Sequence, residues 1–387
     1  MLSTIKNINR AWHYTRCLFN RTPHYMILYV TARCNLRCPH CFYLEEIESA
    51  AKDRELKLEE YEKIARSLPH LLQLTCTGGE TFVRQDIDEI AIRFYRHSKT
   101  RFFTFTTNGT FPERIAEKVE RICRECPMAV IRVPISIDGI GEIHDKVRGK
   151  EGTFDKVMET YRLLDALSRR LDNLRIDVTS VLSKLNEDHV PELVDFIKNR
   201  MEIENHTILY ARGAIREPEK IVPKKQKYKD LVRNLFSRAD KTYRFPLISR
   251  VFVRLREAVE ATIIEIQKKD VMPFPCQAGE SFIELNEYGN LFPCEILQTL
   301  INDGKARPKE FKDTWMGDLH EFDYDVPRAL NSPKARAIRN FIQNKGCACT
   351  FECAIGSSLA FHPENWNRLL TRKATSEEPS VPAPVPA

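Results

Sequence analysis

The sequence predicts an α/β chain built around a parallel sheet. Three observations carry this. Strand-like runs alternate with amphipathic helical stretches from about residue 25 to 215. Residues with chemical character fall just after the strands rather than within them. The composition, 42% hydrophobic and 29% charged over 387 residues, is that of a globular chain. Repeated βα units imply right-handed crossovers. Six of them either close partly into a barrel or lie open as a doubly wound sheet.

The strand runs are Tyr25–Thr31, Leu71–Cys76, Phe102–Thr107, Ala129–Ile137, Arg175–Leu182 and Thr207–Ala211, rich in Val, Ile, Phe and Thr. Between them, Leu58, Tyr61, Ile64, Ala65 and Leu68 share one helical face. So do Ile87, Ile90, Ala91 and Phe94, and then Val190, Leu193, Val194 and Ile197. Each strand is followed by polar or cysteine residues: Cys34, Cys38 and Cys41; Gly78-Gly79-Glu80; Asn108-Gly109; Ser136 to Gly139; Ser183, Lys184 and Asn186; Arg212-Gly213. In a parallel α/β fold these loops share one rim, where chemistry is placed. One such turn alone would be a plain turn; six at the same end point to a site.

Residues 1–24 read as a basic N-terminal helix, 25–215 as the α/β core and 216–275 as a charged helical connector containing Lys224-Lys225-Gln226-Lys227. Residues 276–355 form a second cysteine-bearing unit with hairpin signals at Ser281–Leu285 and Leu291–Cys294. Residues 356–387 end in a Pro-rich tail from Ala374 that reads as disordered. Residues 1–44 hold no Asp or Glu but contain Lys6, Arg10, Arg16, Arg21, Arg33 and Arg37. A helix packed on the core explains this better than a transit peptide or peripheral membrane contact.

A net charge of +6 does not imply nucleic acid. The longest apolar run, Tyr25–Val30, is strand-sized and far short of a membrane span. The 12 cysteines, in a long chain that starts without an apolar signal, suggest a reduced cytoplasmic protein using thiolates as metal ligands.

Cys34, Cys38 and Cys41 make a C-x3-C-x2-C loop with His40 beside it. Structural zinc wants four ligands, commonly as two pairs. Three cysteines on a cubane would instead leave one iron open to substrate or cofactor. This loop, placed after the first strand of a βα series, resembles the cluster loop of the radical S-adenosylmethionine (radical SAM) superfamily. The resemblance implies a partial (β/α)6, TIM-like barrel, a [4Fe–4S] cluster and SAM chelated by its open iron. It also implies reductive cleavage of SAM to a 5′-deoxyadenosyl radical that abstracts hydrogen from a substrate, with electrons from a flavodoxin- or ferredoxin-type donor.

Gly78-Gly79-Glu80 resembles the family's G-G-E motif, with Thr81 where proline is common. Its backbone and Glu80 would hold the SAM amino group. Ser136 and Asp138 stand where relatives contact the ribose or carboxylate, and Arg148 resembles an arginine that pairs with that carboxylate. His40 occupies the usual aromatic position near adenine. For His40, Asn108, Ser183 and Asn186, turn and capping roles weigh evenly against cofactor contact.

Cys276, Gly289 and Cys294 fit a hairpin that brings two thiols together, and Cys347, Cys349 and Cys353 can close the site. Four of the five could bind zinc. The arrangement resembles the SPASM/twitch extension of radical SAM enzymes. With five cysteines here rather than seven, it fits the twitch form with one auxiliary [4Fe–4S] cluster, with Cys347 and Cys353 the favoured closing pair. Cys123 and Cys126, like Cys17 and Cys76, read as packing residues. The substrate is a small molecule or a peptide. The short segment before the first strand argues against a leader-gripping domain, and the basic N-terminus and connector favour an anionic or small-molecule substrate. The alternative is a non-catalytic binding module stabilised by zinc or an iron–sulfur cluster.

Overall fold

The computed structural model describes residues 2–19, 22–211, 213–224 and 246–370. Lys225-Gln226-Lys227, Arg21, Arg212 and the tail from Ala374 lie outside the described residues. Nine strands form one sheet in the order β6-β5-β4-β3-β2-β1-β7-β8-β9. They are β1 (Tyr25–Thr31), β2 (Gln73–Gly78), β3 (Phe102–Phe105), β4 (Val130–Ser136), β5 (Leu174–Leu182), β6 (Asn205–Tyr210), β7 (Phe282–Leu285), β8 (Asn290–Phe292) and β9 (Gly317–Asp318). Strands β1 to β6 are parallel and β7 joins β1 in parallel. β8 and β9 continue antiparallel.

This order settles the choice that periodicity left open, in favour of the partial barrel that the resemblance implies. A doubly wound sheet reverses its strand order at a switch point. Here β1 to β6 succeed one another without reversal, as in a barrel wall, and β7 extends the far edge. The result is a partial barrel.

The two faces of the wall differ. Leu74, Cys76, Phe103, Phe105, Ile131, Val133, Ile135, Ile176 and Val178 are fully or almost fully buried. They pack against helices that include Leu58–Ser67, Ile87–His97 and Pro112–Glu125, whose apolar faces supply Tyr61, Ile64, Ile90, Phe94, Val119 and Ile122. Each such fully buried aliphatic or aromatic side chain contributes roughly 1.5–3 kcal/mol. The opposite register holds Gln73, Thr75, Thr77, Thr104, Arg132 and Thr179, all partly accessible. Parallel sheets covered on both faces read as continuous apolar runs. Alternation with threonine therefore marks a concave face lining a hollow.

The helix Leu2–Phe19 is tied to the residues that precede β3, β4 and β5, with Arg101 donating to Asn9 Oδ1 at 2.7 Å. Lys6 pairs with Asp172 at 2.8 Å, and Arg10 donates to the carbonyls of Met128 and Ala129. Arg33 pairs with Glu55 at 2.9 Å, and Arg37 donates to the carbonyls of Cys34 and Leu36. These four cations are partnered within the chain. Among the described residues no helix is long and apolar enough to cross a membrane. Cys123 and Cys126 are buried under the sheet, and Asn173 donates to both their carbonyls.

Candidate functional site

The loop after β1 carries Cys34, Cys38 and Cys41, and its shape is set by its neighbour strand. Gly78 has φ +129°, and a Cβ there would stand 2.2 Å from the Thr31 carbonyl oxygen. A Cβ on Gly79 would lie 2.4 Å from the Arg33 oxygen and 2.5 Å from the Ala32 oxygen. Gly79 N donates to Thr31 O at 2.8 Å and Glu80 N to Arg33 O at 2.9 Å. The Gly-Gly step thus lies flat on the backbone that leads into the first cysteine, where no side chain fits.

Glu80 is buried, and its carboxylate accepts from Phe82 N, from Thr107 Oγ1 at 2.7 Å and from Asn108 N at 2.7 Å. Most of its capacity is spent within the chain, fixing the turn after β3. Asn108 in turn donates to Cys34 Sγ at 3.8 Å and to Asn35 Oδ1 at 3.0 Å. A relay therefore runs from Glu80 through Asn108 to the first thiol.

The third thiol-bearing turn closes with Cys41 N donating to Cys38 O at 3.0 Å. Arg148 Nη1 stands 4.0 Å from Cys38 Sγ, and its Nη2 lies 2.7 Å from Asp138 Oδ2, outside hydrogen-bond alignment. His40 Nε2 is 3.8 Å from the same oxygen. Asp138 Oδ1 accepts from Val181 N at 2.7 Å, and Asp138 N donates to His144 Nδ1 at 3.1 Å. Asn186 donates to the carbonyls of Asp138 and Val181 and accepts from Ser183 N. Ser183 and Asn186 are thereby turn-holding residues. Ser136 ends β4 on the concave face, opposite Thr179.

Burial pushes the Cys34 thiol up to about 12 and Cys41 to about 11, and raises Cys38 although Arg148 opposes it. Burial pulls the His40 imidazole down to about 4, so it is neutral at pH 7. Asp138 is held below the usual carboxylate range: burial works against this, but Arg148, His40 and His144 outweigh it. His40 Nδ1, Arg148 Nε, Asp138 Oδ2 and His144 Nε2 are buried without hydrogen-bond partners. Such atoms are costly unless something outside the chain satisfies them. Three neighbouring thiols with unsatisfied donors and acceptors beside them suit a thiolate-bound cluster and a polar, charged ligand next to it.

The second cysteine group assembles across the far edge of the sheet. Asn286 Oδ1 accepts from Tyr288 N and Asn290 N, and Gly289 sits at φ +85°, closing the β7–β8 hairpin. Cys276 precedes this hairpin and Cys294 follows it. Burial raises Cys294 well above the ordinary thiol value, with Cys349, Cys347 and Cys276 acting in the same direction. Cys347 is raised chiefly by burial and also by Cys276 and Cys349. Cys353 instead acts on the Tyr25 hydroxyl. Among the described residues no three His, Cys, Asp or Glu side chains stand grouped as around a single metal ion.

Sequence reasoning passed over Tyr29, Tyr43, Glu284, Glu287 and Glu295, which lie between the two cysteine groups. Tyr29 donates to Glu295 Oε2 at 3.0 Å and Tyr43 to Glu287 Oε2 at 2.8 Å. The only signal was an acid inside the apolar strand Phe282–Leu285 and another directly after Cys294.

Residues 28–197 match the model of the Radical SAM superfamily. The AdoMet-dependent heme synthase of Methanosarcina barkeri is 26% identical over 300 residues, 74% of this chain and 80% of that protein. The GTP 3',8-cyclase of Marinobacter nauticus is 30% identical over 185 residues, 47% of this chain and 52% of the cyclase, so the chain spans about half of that relative. Solved structures of anSMEcpe, one with bound AdoMet and one with AdoMet and the Cp18Cys peptide, share the fold. Each has a TM-score of 0.55 and 14% identity, over 90% of this chain and 98% of the other.

Proposed function

We propose that the chain is a radical SAM enzyme, as the match of residues 28–197 to that superfamily's model supports, that Cys34, Cys38 and Cys41 hold its [4Fe–4S] cluster and that SAM binds on the Arg148 side of that loop. When bound, the cluster and SAM supply a reductively generated 5′-deoxyadenosyl radical. The chain's residues position and shield. Arg148, neutral His40 and Asp138 present unsatisfied polar atoms beside Cys38 to the amino-acid end or adenine of SAM. Ser136 offers a hydroxyl from the end of β4. The carbonyls of Gly78 and Gly79 are the natural acceptors for an ammonium group, while Glu80 and Asn108 act as positioning residues. The observation that carries this reading is the pair of buried, unpartnered nitrogens, Arg148 Nε and His40 Nδ1, next to the three-thiol loop.

Cys276, Cys294 and Cys347 hold an auxiliary [4Fe–4S] cluster in this reading, in electron transfer or substrate binding. Cys349 and Cys353 are the two candidates for the fourth ligand, and we take Cys349 as the one to test first. The substrate is a peptide or small molecule taken up in the threonine-lined hollow. A flavodoxin- or ferredoxin-type protein donates the electron, and the reduced cysteines suit the cytoplasm.

The test is anaerobic reconstitution followed by dithionite and SAM. Wild-type protein is expected to be brown, with about eight irons per chain if both sites hold four, and to release 5′-deoxyadenosine. Cys34→Ala, Cys38→Ala and Cys41→Ala are expected to release none. Colourless protein holding zinc would instead support a binding module.

A further inference from the structure

Between the two cysteine groups lies a corner built from five segments. The concave-face register of β1 carries Tyr25, Ile27 and Tyr29, and Ile27 pairs with Glu284 of β7. Tyr29 and Tyr43 meet with ring centroids 4.7 Å apart. Their hydroxyls hold Glu295 and Glu287 respectively. Glu284 is 8% exposed and Glu287 is fully buried. Glu284 Oε2 and Glu287 Oε1 have no hydrogen-bond partner. Among the described residues, no Lys, Arg or His pairs with either carboxyl. Glu284 is pushed up first by burial and then by Glu295 and Glu287.

A buried carboxyl with an unmet oxygen costs stability, and a neighbouring carboxyl raises that cost. Burial and repulsion both fall when a cation enters, because the charge supplies the missing counter-ion and its N–H groups supply the missing donors. A neutral hydroxylated group would satisfy the oxygens but leave the repulsion. An anion would worsen it.

We propose that this corner is a substrate subsite for a protonated amine or guanidinium, gripped by Glu284 and Glu287 with Tyr29 and Tyr43 flanking it. The inference rests on the radical SAM reading above, because it makes the hollow between the cysteine loops the place of hydrogen abstraction. Its position two residues from Cys41 and one residue from Cys294 would hold the charged end of a substrate within the space the two loops frame.

The experiment uses anaerobically reconstituted, SAM-loaded full-length protein and two probe pairs, with binding followed by ligand-observed NMR. One pair is acetyl-Gly-Lys-Gly-amide against its norleucine isostere; the other is glucosamine against glucose. At least one cationic probe is expected to bind roughly tenfold more tightly than its neutral partner. E284Q and E287Q, isosteric and without a new cavity, are expected to lose most of that preference. Preference for the lysyl probe alone assigns a peptide, and preference for glucosamine alone assigns an aminated small molecule. Equal binding of neutral and cationic probes, absence of binding by both cations, or an undiminished preference in both Gln variants would overturn the proposal. 5′-Deoxyadenosine release by the wild type is measured in parallel. Release without cation preference defeats the subsite alone, whereas no release defeats the functional reading beneath it.

Discussion

The two cysteine groups reach their geometry by opposite routes. Cys34, Cys38 and Cys41 lie within eight residues, and one loop after β1 gathers them. Their fine placement is imposed by Gly78-Gly79 beneath the loop and by Asn108 and Arg148 beside it. Cys276 and Cys294 flank a hairpin, Cys347, Cys349 and Cys353 follow a distant helix, and the extension of the sheet through β7 and β8 brings these segments together. A local motif survives as a pattern that can be read in one dimension. A set assembled by topology does not, and its ligand choice has to be read from the fold.

The largest expected effect separates the groups by function. Cys34→Ala, Cys38→Ala or Cys41→Ala is expected to lower 5′-deoxyadenosine release by at least roughly 100-fold. Cys276→Ala or Cys294→Ala is expected to leave that release standing while removing turnover of substrate. Product analysis by mass spectrometry checks both. Within the second group, Cys349→Ala is expected to lose the auxiliary iron and Cys353→Ala to keep it; the reverse would restore Cys353 as the closing ligand.

A second prediction concerns the bed under the first loop. Gly79→Ala places a methyl against two carbonyl oxygens that cannot move without moving the cysteine loop. A loss of roughly 3 kcal/mol is expected, read by chemical denaturation, together with impaired iron uptake at the first group only.

The seam between the two regions titrates. His24 is 2% exposed, lies against Phe361 and donates its backbone N–H to Ser281 O at 2.8 Å. Burial pulls its imidazole down to about 4, with His362 acting the same way. The unfolded chain takes up that proton near the ordinary histidine value of about 6.5. Stability from this group is therefore fully present above about pH 6.5 and falls as pH drops toward 4, by roughly 3 kcal/mol at most. Denaturation midpoints between pH 7 and 4 are expected to fall more steeply in the wild type than in His24→Asn.

Much of the core was legible. β1 appears at its predicted bounds, and β3 to β6 begin or end within two residues of theirs; in β3 to β5 the buried face is strongly apolar, whereas every residue of β6 is only partly buried. β2 begins two residues late, since Leu71 N turns back to Leu68 O before the strand starts. Barrel against open sheet was legible only through the resemblance carried by the Cys34–Cys41 loop, because periodicity carries no strand order. The role of Glu80, whose partners Thr107 and Asn108 lie on the next strand's loop, was not legible. The acidic corner was hidden for the same reason: Tyr29, Tyr43, Glu284, Glu287 and Glu295 are adjacent only in space. The partner of Lys6, Asp172, was hidden because it is far away in sequence.

The smallest expected effect is a control on the remaining thiols. Cys123→Ala is expected to cost roughly 1 kcal/mol and to leave the iron content unchanged by colorimetric assay. Iron loss there would mean that a third group of cysteines binds metal.

The division of labour between the two groups is tested most directly by electron paramagnetic resonance of the reduced Cys276→Ala/Cys294→Ala protein with and without SAM. The account predicts that a [4Fe–4S] signal remains and that SAM changes its g values, while Cys38→Ala shows no SAM-responsive signal. A signal indifferent to SAM in the first protein, or a SAM-responsive one in the second, would contradict it.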